Sequence, residues 1–184
     1  MNAKESLERL KQGNEKYLHS LNQIGDISDK IRLYTAEHGQ HPFAVIIACS
    51  DSREIPEAIF SCGIGELFVI RVAGNIVDES VLGSIEYAVS HLGCQLVVVL
   101  GHTNCGAVSA AISGHTEGYI KRITDKISAA ILDETNSRKA SCLNIDNTVS
   151  SIRNSFADRK DMPDVRIMGA LYDVKAGDVS FFED

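Results

Sequence analysis

Three short apolar runs rich in valine and isoleucine constrain this chain most: Phe43–Ala48, Leu67–Val72 and Leu96–Leu100. A strand with one face in water alternates apolar and polar residues; Phe43–Ala48 does not and reads as a strand buried on both faces, with Leu67–Val72 a second apolar strand and Leu96–Leu100 a third, buried one. Helical signals fill the gaps between them. Glu54–Ser61 reads as a short helix with Pro56 in its first turn. Glu79–His91 carries Val81, Leu82, Ile85, Ala88 and Val89 and is closed by Gly93, and Gly106–Ser113 reads as another helix. Strand–helix alternation of this kind predicts an α/β fold: a mostly parallel central sheet with flanking helices. Ligands in such sheets sit where loops leave the carboxyl ends of the strands.

The ends of the chain extend this frame. Asn2 followed by Glu5 is a capping pair for an opening helix over about 2–21, with Leu7, Leu10, Tyr17, Leu18 and Leu21 at helical spacing. A polar segment follows it. Beyond the third strand, Glu117–Leu132 is predicted helical, with Ile120, Ile123, Ile127 and Ile131 on one face. A further helix holds Cys142, Ile145, Val149, Ile152 and Phe156. Val165–Leu171 and Val179–Phe182 flank Lys175-Ala-Gly-Asp178, a closing hairpin that adds an antiparallel edge strand. No repeat or linker breaks the sequence, and 184 residues suit one domain over 1–184.

Charge and cysteine content narrow the functional classes. With 18 Lys+Arg against 25 Asp+Glu, the chain carries a net charge of −7 and lacks the basic stripe that nucleic-acid binding needs. No apolar run approaches the roughly 18–20 residues that span a bilayer, and residues 1–20 hold no apolar signal core. A cytoplasmic protein without a membrane or nucleic-acid partner is expected. Five cysteines in a reducing compartment are packed thiols, metal ligands or nucleophiles.

Two strand-end loops are chemically loaded. The first strand runs into Cys49-Ser-Asp51-Ser-Arg53, and the third into Gly101-His102-Thr-Asn-Cys105-Gly106. If these strands are neighbours, Cys49, Asp51, His102 and Cys105 converge. Two thiolates and an imidazole suit tetrahedral Zn²⁺, and three protein ligands leave the open position of a catalytic site. Asp51 either closes that position or accepts a hydrogen bond from the reactive water, and Arg53 has the fork geometry to hold its carboxylate. Cys62, Cys94 and Cys142 have no partner at ligand spacing and read as packed thiols. His19, His38, His41, His91 and His115 lie in polar contexts and read as solvated.

Cys49-Ser-Asp-Ser-Arg53, Arg71-Val-Ala-Gly-Asn75 and Gly101-His-x-x-Cys-Gly106, in that order and spacing, resemble the β-class carbonic anhydrases. The similarity runs at least from Phe43 to Ile112, and Gly169-Ala-Leu-Tyr-Asp173 with Val179–Phe182 resembles the family's last strands. The resemblance implies that Cys49, His102 and Cys105 bind zinc and that Asp51 and Arg53 are the catalytic pair. In some members the aspartate becomes a fourth ligand in a closed, inactive state. It further implies a narrow apolar cleft at a dimer interface. Gln40, Phe68 and Tyr87 match the cleft residues of the plant-like subtype, and the Gly106 N–H is a donor for bicarbonate. A homodimer is expected, or a tetramer or higher assembly, with the opening helix packing on a partner subunit.

The activity so implied is that of a zinc lyase, the reversible hydration of CO₂ to bicarbonate and a proton. Hydrolysis of CS₂ or COS on the same site and a non-catalytic zinc module are the alternatives. One departure bears on regulation. Ile46 stands where the bicarbonate-regulated subtype has tryptophan, and a chain without tryptophan cannot build that site, although the matching Arg71 is present.

Overall fold

In the computed structural model, which describes residues 1–19, 24–115, 117–159 and 165–182, the apolar runs form the heart of one five-stranded sheet. The strands are β1 (Ala44–Ala48), β2 (Leu67–Arg71), β3 (Leu96–His102), β4 (Arg166–Tyr172) and β5 (Val179–Phe181). Their order is β2-β1-β3-β4-β5, parallel throughout except for the antiparallel β4–β5 hairpin. Every residue of β1 and β3 is buried, as unbroken apolar runs require of central strands.

Side-chain alternation divides the core into two layers. Ile46, Val98, Leu100 and Met168 face Leu7 and Leu10 of α1 (Ala3–His19) and Ile59 of α3 (Pro56–Ile59). Val45, Ile47, Val97 and Val99 face Val81, Ile85 and Val89 of α4 (Glu79–Ser90) and Ile145, Val149 and Ile152 of α7 (Ser137–Phe156). Helices α2 (Asp29–His38), α5 (Gly106–Ile112) and α6 (Lys121–Ile131) complete the element order. Among the described residues, no helix is long and apolar enough to cross a membrane.

The capping pair forms in full. The Asn2 N–H donates to Glu5 Oε2, and the Glu5 N–H donates to Asn2 Oδ1, each at 2.9 Å. Helix α1 ends at His19, and Leu21 lies outside the described residues. The helix buries Leu7 and Leu10 against its own sheet.

Three sequence expectations are corrected. The polar segment after α1 contains α2, capped by Ser28, with no buried residue and with Leu33 and Tyr34 in solvent. The helix expected over Glu54–Ser61 is the single turn Pro56–Ile59, because the preceding residues are committed to other bonds described below. In the helix after β3, Ile127 and Ile131 are buried as expected, but Ile120 precedes α6 and is exposed.

Candidate metal centre

β1 and β3 are adjacent and parallel, with Ala48 opposite Leu100, so the loops that follow them leave the sheet side by side. Cys49 is the first residue beyond β1. His102 is the last residue of β3, and the left-handed Asn104 (φ 57°) turns the chain so that Cys105 caps the start of α5. This turn returns the second thiol to within reach of the first.

The three side chains are almost completely buried, and one donor atom from each lies within 4.8 Å of the others. The two sulfurs are 3.9 Å apart. A tetrahedral ion with metal–sulfur bonds of about 2.3 Å places its sulfurs about 3.8 Å apart, so the spacing fits zinc. His102 fits as well. Its Nδ1 lies 3.0 Å from the Thr103 carbonyl oxygen, which can only accept, so Nδ1 carries the proton and Nε2 presents a lone pair. That Nε2 is buried without a hydrogen-bond partner, an unfavourable state that a metal ion removes.

Electrostatics points the same way. The Cys49 thiol is pulled well down, chiefly by the hydrogen bond from Cys105, with further help from the Gly74 N–H. Cys105 is pushed up because it keeps the proton the two sulfurs share. One thiolate is therefore already favoured in the bare site, and a divalent cation displaces the second proton. Cys62 and Cys94, by contrast, are raised by burial to about 12 and about 11, as suits packed thiols.

Asp51 and Arg53 stand at the rim. Arg53 Nε donates to Asp51 Oδ1 at 2.9 Å and Nη2 donates to Oδ2 at 2.7 Å, a bidentate pair. That side-chain bond holds the Asp51 carboxyl well below the usual carboxylate range. Arg53 Nη2 also donates to the Asn104 carbonyl at 3.1 Å, tying the two loops together. Asp51 Oδ2 lies 3.9 Å from His102 Nε2, on the side of the donor set that faces the rim.

Several residues contribute in ways the sequence does not reveal. Arg71, the last residue of β2, donates to the carbonyls of Cys49 (3.0 Å) and Asp51 (2.7 Å) and so shapes the first loop. Glu54 is completely buried, and its Oε2 accepts the Cys49 N–H at 2.7 Å. Burial pushes the Glu54 carboxyl up to about 8. Gly74 donates its N–H to the Cys49 sulfur at 3.2 Å. A buried glutamate directly after Arg53 contradicts the usual exposure of charged residues, so only the tertiary structure reveals it.

The remaining candidates lie elsewhere in the chain. Phe68 pairs with Val45 in register, four residues before Cys49, or about 13 Å back along the strand at roughly 3.3 Å per residue. Its ring contacts that of Tyr87 with centroids 6.2 Å apart, and Tyr87 is half exposed on α4. Gln40 is exposed, ahead of the amino end of β1. These three therefore stand towards the amino ends of the strands, away from the donor set of the same chain at the carboxyl ends. Gly106 opens α5 beside Cys105, exposed and with free space around its Cα. His19, His38, His41, His91 and His115 are all exposed.

Comparison with known proteins adds to this geometry. The sequence model of the family described as carbonic anhydrase matches residues 44–179. Carbonic anhydrase 2 of Mycobacterium tuberculosis is 43% identical over 128 residues, covering 67% of this chain and 61% of the relative. The carbonic anhydrase of Mycolicibacterium smegmatis is 41% identical over 130 residues, covering 67% and 62%. The chain thus matches about three fifths of the length of these curated relatives. Among solved structures, a Coccomyxa β-carbonic anhydrase in complex with acetazolamide superposes with a TM-score of 0.70 at 25% identity, over 84% of this chain and 78% of that one. A tetrameric β-carbonic anhydrase of Sordaria macrospora gives 0.70 at 25% identity, over 85% and 88%.

Proposed function

The chain belongs to the β-carbonic anhydrase family, and from that membership we propose that it catalyses the reversible hydration of CO₂ to bicarbonate and a proton, with zinc as its resident metal. One observation carries the reading. His102 Nε2 is buried and unpartnered beside two cysteine sulfurs, with an arginine-held carboxylate 3.9 Å away.

Cys49, His102 and Cys105 are the residues that hold the ion. Zinc bound there supplies the Lewis acidity that makes water nucleophilic near neutral pH. The two thiolates offset the charge of the ion, so activity rises towards alkaline pH.

Asp51 does the orienting. Arg53 keeps its carboxylate ionised and faces it towards His102, where it accepts a hydrogen bond from the attacking water and aims the oxygen lone pair at the carbon of CO₂. A carbon–oxygen bond forms, one C=O electron pair moves onto oxygen, and the released proton leaves to buffer. Asp51 becomes a metal ligand only by giving up its bond to Arg53, which defines the closed state. Gly106, open and next to Cys105, is the N–H donor assigned to bicarbonate.

The apolar wall for CO₂ comes from Phe68 and Tyr87, with Gln40 as hydrogen-bond donor. A second copy of the chain supplies them, because within one chain they stand too far from the donor set. Among the described residues β2 is an edge of the sheet, and the adjoining Tyr87 is half exposed, which supports docking of a homodimer there. All five cysteines are free, in keeping with a reducing cytoplasm.

Stopped-flow CO₂ hydration by the zinc-loaded protein tests the proposal. Turnover well above the buffer rate, lost in Asp51→Ala with zinc still bound, is the expected result. A zinc-replete wild-type protein without turnover at any pH overturns it.

A further inference from the structure

We propose that Asn144 is a positioning residue of the metal centre, acting through Gly74 on the sulfur of Cys49; the inference rests on Cys49 being a metal ligand. Asn144 lies in the middle of α7 and is almost completely buried. Its Nδ2 donates to the Gly74 carbonyl oxygen at 2.8 Å. Gly74 in turn donates its N–H to Cys49 Sγ at 3.2 Å. Two hydrogen bonds thus lead from a helix on the flank of the sheet to a metal-binding sulfur.

Gly74 needs such a tie. It lies in the short turn Ala73–Asn75 with φ +70°, a left-handed conformation that glycine leaves easily. The positive φ favours glycine here, and the residue brings no side chain of its own to anchor the turn. The Asn144 bond holds the Gly74–Asn75 peptide from outside the turn, adding to the bond from the Asn75 N–H to the Val72 carbonyl (2.8 Å), and so restrains the glycine torsions that aim the preceding N–H at the sulfur. Asn144 is itself held within α7, flanked by the buried Ser141, Ile145 and Thr148.

The chemical consequence follows from the bond to sulfur. An N–H donated to a thiolate withdraws electron density from it and weakens its donation to the ion. The ion then keeps more of its charge for acidifying water. Without Asn144 the glycine relaxes, the N–H turns away, and Cys49 becomes the stronger donor.

Cobalt(II) substitution reads this directly, because the thiolate-to-cobalt charge-transfer band reports the electron density on sulfur. In Asn144→Leu, which keeps the size and removes the donor, the band is expected to shift to longer wavelength. The midpoint of the pH–rate profile of the zinc protein is expected to rise by about half a pH unit or more, the scale of one hydrogen bond. A purely structural asparagine would lower the melting temperature and leave band and midpoint in place; that result overturns the proposal. If Asn144→Leu does not fold, Asn144→Ala, which removes the amide donor without adding bulk or charge, carries the same expectations. Absence of any thiolate-to-cobalt band in the wild-type protein overturns the assignment of Cys49 as ligand and this inference with it. A wild-type band that neither variant moves overturns the role of Asn144 alone.

Discussion

Arg53 grips both carboxylate oxygens of Asp51 and, with the same Nη2, the carbonyl of Asn104 in the loop between His102 and Cys105. One guanidinium therefore sets the ionisation of the aspartate and its place relative to the donor set. Lysine has a single charged nitrogen and cannot reproduce the fork. Arg53→Lys is expected to lower kcat for CO₂ hydration at least about tenfold, and Asp51→Asn about a hundredfold or more, the scale of a lost acid–base partner. Zinc content measured by mass spectrometry should stay near wild type in both, since neither residue is among the three donors.

Removing the metal isolates the contribution of those donors. Dialysis against a strong chelator should abolish activity and lower the melting temperature, and added zinc should restore both. Cys105→Ser should purify with little zinc. Thiol labelling at pH 8 offers a second readout. Cys62 and Cys94 are buried, pushed up to about 12 and about 11, and donate to the backbone carbonyls of Phe60 and Pro42. Both should stay protected until the protein unfolds, so in the zinc form only the half-buried Cys142 should react promptly.

Asp173 closes the β4–β5 hairpin. Its carboxylate accepts the N–H groups of Ala176 and Lys175, and also pairs with Arg138, so its pKa falls below the ordinary 3.8. A lowered carboxyl stabilises the fold above the unfolded-state value, and that stabilisation disappears as pH falls through the folded-state one. Asp173→Asn should therefore cost about 1 kcal/mol between pH 5 and 8, the scale of a hydrogen bond to a charged group. Denaturant titrations should find the gap to wild type closing below about pH 4.

Gly13 reverses a general rule. Replacing a glycine inside a helix by alanine ordinarily stabilises it by about 1 kcal/mol. Here a Cβ would lie 2.0 Å from the backbone oxygen of Phe60, where α1 crosses the segment after α3. Gly13→Ala should instead destabilise by about 1–3 kcal/mol, the range for an overpacked contact, as measured by chemical denaturation. Gly83→Ala in α4, where no atom lies within 4 Å of the added carbon, provides the contrasting case and should gain stability.

The parts of this protein that were legible in its sequence are those governed by local rules. The runs around Ile46 and Val98 announce buried strands because no polar residue interrupts their centres, the run around Val69 announces a strand that proves to be a half-buried edge, and Asn2 with Glu5 announces a helix start because both partners lie within one turn. Cys49, Asp51, Arg53, His102 and Cys105 could be read because each loop carries its ligands within a few residues. α2 was hidden because its apolar residues Ile31, Leu33 and Tyr34 do not form a buried stripe, leaving no periodicity to read. Glu54, Gly74 and Asn144 were hidden for another reason. Glu54 lies in the same loop as Cys49 but gives no sign in the sequence of being buried, and Gly74 and Asn144 come from other elements that only folding brings to the sulfur.

Cys49 follows β1 and His102 ends β3, and the chain between these paired strands holds β2 and α4, which gives the centre an order of assembly. A chain emerging from the ribosome offers Cys49 as a lone thiol long before its companions exist, and one thiol is not a metal site. The coordination sphere comes into being only when β3 docks beside β1, a contact between distant parts of the chain that forms slowly. Metal capture is thereby placed after the middle of the sheet has set, and the polypeptide passes its vulnerable early stages without a preformed chelate for an unsuitable ion.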